Sequence, residues 1–270
     1  RRLGLQYIPP ELREGDQEIE LAEQNAIPRL IEPSDVKGDL HVHSDWSDGN
    51  ETIENMAQAA KSLGYQYIAI TDHSGGRGIA HGLKDDRLRQ QIEEIRRLNQ
   101  KLDGIRILAG AEVDIRADGS LDMSPELLLK LDIVVAAIHS GMNESEEKIT
   151  RRVIGAIENP DVDVIAHPTC RLLGEREPVA IDMEAVFKAA ARHNKALEIN
   201  ASPYRLDLKE THIRRATELG VKLIFGTDAH SIAQLGFMRF GIGIARRGWC
   251  QAQHVLNTRP LKEVLAVFGS

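Results

Sequence analysis

Short apolar runs alternate with stretches of helical periodicity over most of the chain. The seven apolar runs cover residues 37–43, 67–73, 105–115, 133–140, 162–168, 196–202 and 223–230. Their lengths are those of buried strands. The helical stretches cover residues 52–63, 85–102, 144–158, 182–193 and 209–219, and a glycine follows both Leu63 and Leu219, as is usual where helices end. Strands that alternate with helices in this way predict a parallel β/α barrel that is closed or nearly closed.

Residues 1–36 lack this regular pattern. They contain four of the ten prolines of the chain, together with acidic patches. This composition is typical of a linker or of an arm that wraps around a domain. The regular domain is therefore predicted to cover residues 37–270. Because the sequence begins with Arg1 rather than methionine, we expect it to be a fragment of a longer protein.

The composition is that of a folded globular domain, with 42% hydrophobic and 28% charged residues in 270 positions. Two cysteines are too few for a disulfide framework, which favours the cytoplasm. We expect no membrane span, because no apolar run approaches ~20 residues, and no secretory signal is recognisable. The net charge of −7 argues against nucleic-acid binding through overall basicity. No glycine motif for dinucleotides or phosphate follows a predicted strand.

Side chains that bind metals are concentrated where the predicted strands end. In a β/α barrel these ends meet at one mouth. A single histidine there could have a structural role. Six of the ten histidines at strand ends are better explained by cations that compensate so many buried imidazoles. The candidate residues, including one aspartate in the first loop, are His41, His43, Asp48, Asp72, His73, Glu112, His139, His167, Asp228 and His230.

The local spacings agree with a metal centre. In His41-x-His43 the two side chains face the same side of a strand and can reach one ion. Asp228-x-His230 repeats this arrangement with a carboxylate, and Glu112 could bridge two ions with its two oxygens. A set of nitrogen and oxygen ligands without cysteine favours Zn²⁺, Mn²⁺ or Fe²⁺ over Ca²⁺.

Taken in order along the chain, these motifs are familiar. The series His-x-His, Ser-Asp-Gly, Thr-Asp-His-Ser, Gly-x-Glu, Ile-His-Ser, Ala-His-Pro and Thr-Asp-Ala-His resembles the PHP (polymerase and histidinol phosphatase) superfamily. A closer resemblance is to the C-terminal PHP domain of bacterial and archaeal family X DNA polymerases. The segments that carry this closer resemblance are residues 7–14, 121–123, 198–208 and 245–249.

The resemblance implies a distorted (β/α)7 barrel with three divalent ions at the C-terminal ends of the strands. One ion would be held by His41, His43, Glu112 and Asp228, and a second by Asp48, His73 and His230. The third would be held by His139, His167 and Glu112, which bridges. Zinc, manganese or iron could occupy these positions, with manganese expected to support activity best. Glu112, Asp228 and His230 would also be the catalytic residues.

The activity that the resemblance implies is metal-dependent phosphoester hydrolysis at DNA 3′ ends. This means 3′–5′ exonuclease activity, with 3′-phosphatase or abasic-site endonuclease activity as further possibilities. The partners would be gapped or nicked DNA and a polymerase domain upstream of residues 1–36. Four cations in loops after predicted strands could contact phosphates, with ordinary solvated surface as the alternative: Arg77, Lys84, Arg171 and Arg205.

Two other functions remain open from the sequence. A small-molecule phosphatase of the histidinol-phosphate type would use the same metals. A non-catalytic module that only braces a polymerase is also possible, although an intact set of nine ligands argues against it.

Overall fold

The computed structural model describes residues 4–75 and 80–268. Within them, seven parallel strands form one sheet in which each strand pairs with the next along the chain. The strands are β1 (Gly38–Val42), β2 (Tyr67–Ile70), β3 (Arg106–Asp114), β4 (Ile133–Ala137), β5 (Val164–Ile165), β6 (Ala196–Asn200) and β7 (Lys222–Gly226). This order is that of a barrel.

The barrel is nearly closed, because the segment after β7 returns to β1. The backbone N–H of Asp228 donates to the carbonyl of His41 at 2.9 Å, and that of His43 donates to the carbonyl of Ala229 at 2.9 Å. Val42 and Ala229 form a parallel bridge between these hydrogen bonds. The predicted (β/α)7 barrel is confirmed.

Helices alternate with the strands. In chain order they are α1 (Glu18–Glu23), α2 (Ile53–Ser62), α3 (Asp85–Lys101), α4 (Pro125–Leu128), α5 (Glu146–Glu158), α6 (Met183–Arg192), α7 (Glu210–Glu218), α8 (Met238–Arg247) and α9 (Leu261–Phe268). Of these, α1 lies before β1 and two helices, α8 and α9, lie after β7. The five predicted helices, α2, α3, α5, α6 and α7, are confirmed with ends within two residues. The sequence did not predict α1, α4, α8 and α9. In α8 two glycines weaken the helical signal, and Gly241 packs against Ala201, where a side chain would not fit.

Several strands end earlier than the apolar runs predicted. The run 162–168 contains only the two strand residues of β5, and β2 ends at Ile70 rather than at residue 73. The backbone leaves the extended conformation at His167, with φ of 28°, and at Asp228, with φ of 56°. These left-handed positions turn side chains into the barrel mouth, which fits the tendency of strained backbone to occur at functional sites.

Two apolar layers surround the sheet. The inner layer fills the barrel beneath its mouth and includes Tyr67, Leu108, Val135 and Ile224, with Val264 of α9 at the opposite end. The outer layer packs the alternate strand residues against the helices. Alternate residues of a strand face the same side, so the side chains that point into the barrel form this apolar layer directly beneath the polar mouth.

The described part of the arm, residues 4–36, packs on the domain through a small apolar cluster of its own. Leu12 and Leu30 are buried in this cluster, and Trp249, at the end of α8, packs against it. The Arg246 guanidinium donates to the Glu11 carboxylate at 2.7 Å and to the Ile31 carbonyl at 2.9 Å. The arm is therefore docked, while its assignment as a linker from a polymerase region stays a prediction. Across the described residues, no helix combines the length and the apolar character that crossing a membrane requires.

Replacement of Leu12 tests the docking of the arm. Leu12 is fully buried, so Leu12→Ala should lower the free energy of unfolding by about 2–5 kcal/mol through lost burial and a cavity. Ile19→Ala is the matched control, because Ile19 belongs to the same arm but is 54% exposed. It should change stability by less than about 0.5 kcal/mol. Urea denaturation measures both, and equal stabilities of the two variants would contradict a docked arm.

Candidate metal centre

The nine expected ligands converge at the C-terminal ends of the strands. His41 and Glu112 lie within β1 and β3, and the others lie in the loops that follow β1, β2, β4, β5 and β7. The register of β1 against β2 shifts between Asp39 and Val42, as at a bulge. Bulges redirect side chains near active sites. Here Leu40 joins the inner apolar layer and the next residue, His41, faces the mouth.

The Glu112 carboxylate is the middle of the cluster and is only 1% exposed. Its Oε1 atom lies 3.0 Å from Nε2 of His139 and 2.8 Å from Nε2 of His167. Its Oε2 atom faces three further rings, at 2.9 Å from Nδ1 of His73 and 3.5 Å from Nε2 of both His41 and His43. Each oxygen thus faces a different group of imidazoles, which is the arrangement that a bridging carboxylate needs.

Three groups of side chains present ligand atoms that lie within 4.8 Å of one another. They overlap with the three expected ligand sets, but His73 takes the place of His167 beside Glu112 and His139, and Glu112 is absent from the group of His41. His43 belongs to two groups, because its Nδ1 faces Asp48 at 3.7 Å and its Nε2 faces Asp228 at 3.3 Å. The three groups are His43, Asp48, His73 and His230; His41, His43 and Asp228; and His73, Glu112 and His139.

Two side chains of the cluster have protonation states that suit cation binding, whereas at His41 and His73 the effect of burial is outweighed by nearby carboxylates and the pKa is raised, to about 10 for His73. Burial, together with the nearby His230, lowers the pKa of His43 to about 3, so this imidazole is neutral. Burial raises the pKa of Glu112, but the charges of His73 and His139 outweigh it and hold this pKa well below the usual range. Neutral imidazoles and ionised carboxylates are the forms that bind metals.

Buried nitrogens in the cluster also fit a divalent ion. Nδ1 of His43 is buried and has no hydrogen-bond partner among the described residues. Nε2 of His41 and Nε2 of His43 face each other at 3.2 Å. Buried polar atoms without partners are costly, and a cation shared by these lone pairs would compensate them.

Carboxylates behind the ligands fix the orientation of two imidazoles. Glu198 of β6 is fully buried, and its Oε1 pairs with Nδ1 of His41 at 2.7 Å, which leaves Nε2 of His41 for the centre. Asp114 of β3 pairs with Nδ1 of His139 in the same way. Such partners set the tautomer and the basicity of metal ligands. The sequence analysis missed both, although a charged residue in the middle of the buried strand β6 is itself a signal.

Asp72 has a different role from the ligands next to it in sequence. Its oxygens accept hydrogen bonds from the Ser44 N–H at 2.8 Å, the Ser47 hydroxyl at 2.5 Å and the Gln91 amide at 2.5 Å. These contacts hold the loop after β1, which carries Asp48. Asp72 thus supports the centre by shaping this loop.

The four candidate phosphate-binding cations are placed differently from one another. Arg205 lies inside the mouth rather than at its rim, with Nε 3.2 Å from Oδ2 of Asp228 and 18% of its side chain exposed. Arg171 donates to the backbone carbonyls of Arg205 and Leu206, so it braces the loop after β6. Lys84 is exposed at the beginning of α3. Arg77 lies outside the described residues.

Comparisons with known proteins agree with this geometry. The model of the PHP domain family matches residues 39–202. The chain is 48% identical over 263 residues to the DNA polymerase/3′-5′ exonuclease PolX of Bacillus subtilis (strain 168). The aligned region covers 97% of the chain but only 46% of that relative. It therefore spans less than half the length of PolX.

Shorter relatives and a solved structure also match. A probable phosphatase of Thermoanaerobacter sp. (strain X514) is 33% identical over 234 residues, covering 82% of the chain and 89% of that protein. The histidinol phosphate phosphatase of Lactococcus lactis subsp. lactis Il1403, solved with zinc, L-histidinol and phosphate, has the same fold. The two structures superpose with a TM-score of 0.56 at 20% sequence identity, and the superposition covers 77% of this chain and 93% of the phosphatase. With its barrel, its cluster of candidate ligands and these relatives, the chain belongs to the PHP family of metal-dependent phosphoesterases.

Proposed function

We propose that this chain hydrolyses phosphodiesters at DNA 3′ ends, as the PHP domain of a longer family X DNA polymerase. The observation that carries the proposal is the convergence of nine candidate ligand side chains at one mouth, with the buried Glu112 carboxylate among them. The choice of DNA rests on the 48% identity to PolX over 97% of the chain. Gapped or nicked DNA, an upstream polymerase domain and a cytoplasmic location belong to the same proposal.

Three divalent ions are proposed for the centre, with zinc, manganese or iron as candidates and manganese as the ion that best supports activity. Held there, such ions would bind phosphate oxygens and lower the pKa of a bound water to about 7. The first would be held by His41, His43, Glu112 and Asp228, the second by Asp48, His73 and His230, and the third by Glu112, His139 and His167. The nitrogen and oxygen donors fit all three metals.

The chain supplies the orientation of these groups. The Nδ1–H of His230 donates to the carbonyl of Asp228 at 2.8 Å, which leaves its Nε2 with a lone pair. Asp48 and His230 are 31% and 28% exposed, whereas Glu112 is buried. The substrate would therefore approach from the side of Asp48 and His230. Arg205 lies beside Asp228, where its guanidinium could also bind an oxygen of the reacting phosphate.

A small-molecule phosphatase is the second candidate. The 33% identical relative named a probable phosphatase matches over 89% of its own length, so a phosphatase can consist of this domain alone. The same centre could bind a phosphomonoester. A module that only braces a polymerase is disfavoured, because none of the nine ligand positions has lost its metal-binding side chain.

The direct test uses the purified chain with Mn²⁺ on a labelled oligonucleotide and on histidinol phosphate. We expect stepwise shortening of the oligonucleotide from its 3′ end. Glu112→Gln should reduce kcat/KM by at least roughly 10³-fold and lower the bound metal measured by mass spectrometry. Glu93→Gln, at an exposed position of α3, is the matched control. Hydrolysis of histidinol phosphate alone would favour the second candidate.

Replacement of Gly226 tests whether the Glu198 carboxylate orients His41. A Cβ at this position would overlap the Glu198 carboxylate and lie 2.5 Å from Cβ of His41. Gly226→Ala should therefore separate this pair and weaken metal binding by about 10–100-fold, as is usual when the partner of a ligand is disturbed. Gly243→Ala is the control, because a Cβ there meets nothing within 4 Å. Calorimetric titration with Zn²⁺ measures both, and unchanged affinity in Gly226→Ala would remove the orienting role of Glu198.

Arg205 tests whether the reacting phosphate contacts this guanidinium. Because Arg205 lies beside Asp228, Arg205→Ala should reduce kcat/KM for an oligonucleotide and for p-nitrophenyl phosphate by similar factors, roughly 10–100-fold. The exposed Lys84 is the control, and Lys84→Ala should leave hydrolysis of p-nitrophenyl phosphate unchanged. A loss confined to the oligonucleotide would show instead that Arg205 contacts phosphates beyond the reacting one.

A further inference from the structure

A second cavity opens directly beside the metal centre. It has a volume of about 280 Å³ and shares the side chains of Arg205, Asp228 and His230 with the centre. Its other walls include two aromatic residues, Tyr204 and Phe237. Because it adjoins the more exposed side of the cluster, a substrate group next to the reacting phosphate would reach it.

Tyr204 presents an unusually available aromatic surface. Its side chain is 62% exposed, and among the described residues its ring and hydroxyl have no hydrogen-bond, aromatic or cation partner. Its backbone is fixed, since the Leu173 N–H donates to the Tyr204 carbonyl at 2.7 Å and the Arg205 N–H closes a turn onto the Ser202 carbonyl at 2.9 Å. An exposed ring on a fixed backbone loses little entropy when it binds a planar group.

The charges of the cavity disfavour a second phosphate there. Arg205 is the one arginine or lysine among the described residues that line it, and the guanidinium is already paired with Asp228. Glu175 adds a negative charge to the wall. An uncharged planar group therefore fits better than another anion.

Gln234 provides a polar contact for such a group. The His230 N–H donates to Oε1 of Gln234 at 2.6 Å, which fixes the orientation of the amide. The NH₂ end has no hydrogen-bond partner among the described residues, and Gln234 lines the cavity. It can donate to a carbonyl or ring nitrogen, which nucleobases present at their edges.

We propose that this cavity binds the nucleobase of a nucleotide that flanks the reacting phosphate, stacked on Tyr204 with Gln234 at its edge. The inference deepens the proposed function and rests on it for the choice of a nucleic-acid substrate. Aromatic stacking of bases does not depend on sequence. The subsite would therefore position any 3′ end at the centre and select nucleotide esters over simple phosphate esters.

The test compares Tyr204→Ala with Tyr204→Phe, which keeps the ring, and with Leu173→Ala, which removes an exposed apolar side chain outside the cavity. On an oligonucleotide with Mn²⁺, Tyr204→Ala should lower kcat/KM at least about fivefold, and the other two variants should stay within about twofold of the wild type. When the last two nucleotides carry tetrahydrofuran instead of a base, Tyr204→Ala and the wild type should react equally. Equal losses on both oligonucleotides would overturn the proposal.

A binding measurement separates stacking from catalysis. An oligonucleotide with 2-aminopurine at its 3′ end and a non-hydrolysable last linkage, titrated with the Zn²⁺-loaded protein, should be quenched by the wild type and Tyr204→Phe but not by Tyr204→Ala. Quenching that is the same for all three would overturn the base subsite.

Failure of the proposed nuclease function can be distinguished from failure of the base subsite. If the wild type degrades no oligonucleotide, the subsite is judged on thymidine 5′-(p-nitrophenyl phosphate) against p-nitrophenyl phosphate. A loss in Tyr204→Ala on the thymidine ester alone supports the subsite, and equal activity of Tyr204→Ala and the wild type on that ester overturns it.

Discussion

The arrangement of the barrel mouth depends on the burial of one carboxylate. Glu112 is withdrawn from water in the middle of the barrel mouth, and an uncompensated charge there would be prohibitively costly. Compensation comes from five imidazoles that approach its two oxygens. These imidazoles belong to β1 or to the segments after β1, β2, β4 and β5. The barrel must therefore hold these strand ends in register, because a slip of one residue turns a side chain to the opposite face.

A second layer of buried polar groups makes this arrangement rigid. Glu198 contacts His41 through one oxygen and accepts the backbone N–H of His167 through the other, at 2.7 and 2.8 Å. It thereby ties β6 to ligands from β1 and β5. Asp72 does the same for the loop that carries Asp48. Fully satisfied networks of this kind favour a single arrangement of the side chains, and partly satisfied ones are costly.

The centre is closed on one side and open on the other. The buried side contains Glu112 and its histidines, and the open side contains Asp48, His230 and the cavity that Tyr204 lines. The loop after β6 forms one wall of that cavity, and Arg171 fixes it by donating to two of its carbonyls. Arg171, for which the sequence left phosphate binding and solvated surface open, thus braces the backbone of the neighbouring Arg205. The open side is therefore shaped by a braced loop.

Local sequence patterns were enough to predict the alternation of strands and helices and to name the candidate ligand side chains. Both follow from local patterns: apolar periodicity for the elements, and the repetition of His and carboxylates at strand ends for the centre. Weak local signals left α8 unpredicted, since Gly241 is required by its contact with Ala201 although glycine disfavours a helix.

The neighbours of these side chains depend on tertiary contacts that local patterns do not show. The bulge in β1, the left-handed backbone at His167 and Asp228, the pairing of Glu198 with His41 and the inward position of Arg205 all depend on residues distant in sequence. A local pattern can show that a side chain lies at a strand end. Its direction and its partner are set by closure of the barrel, because closure fixes how the segments after separate strands meet around one buried charge.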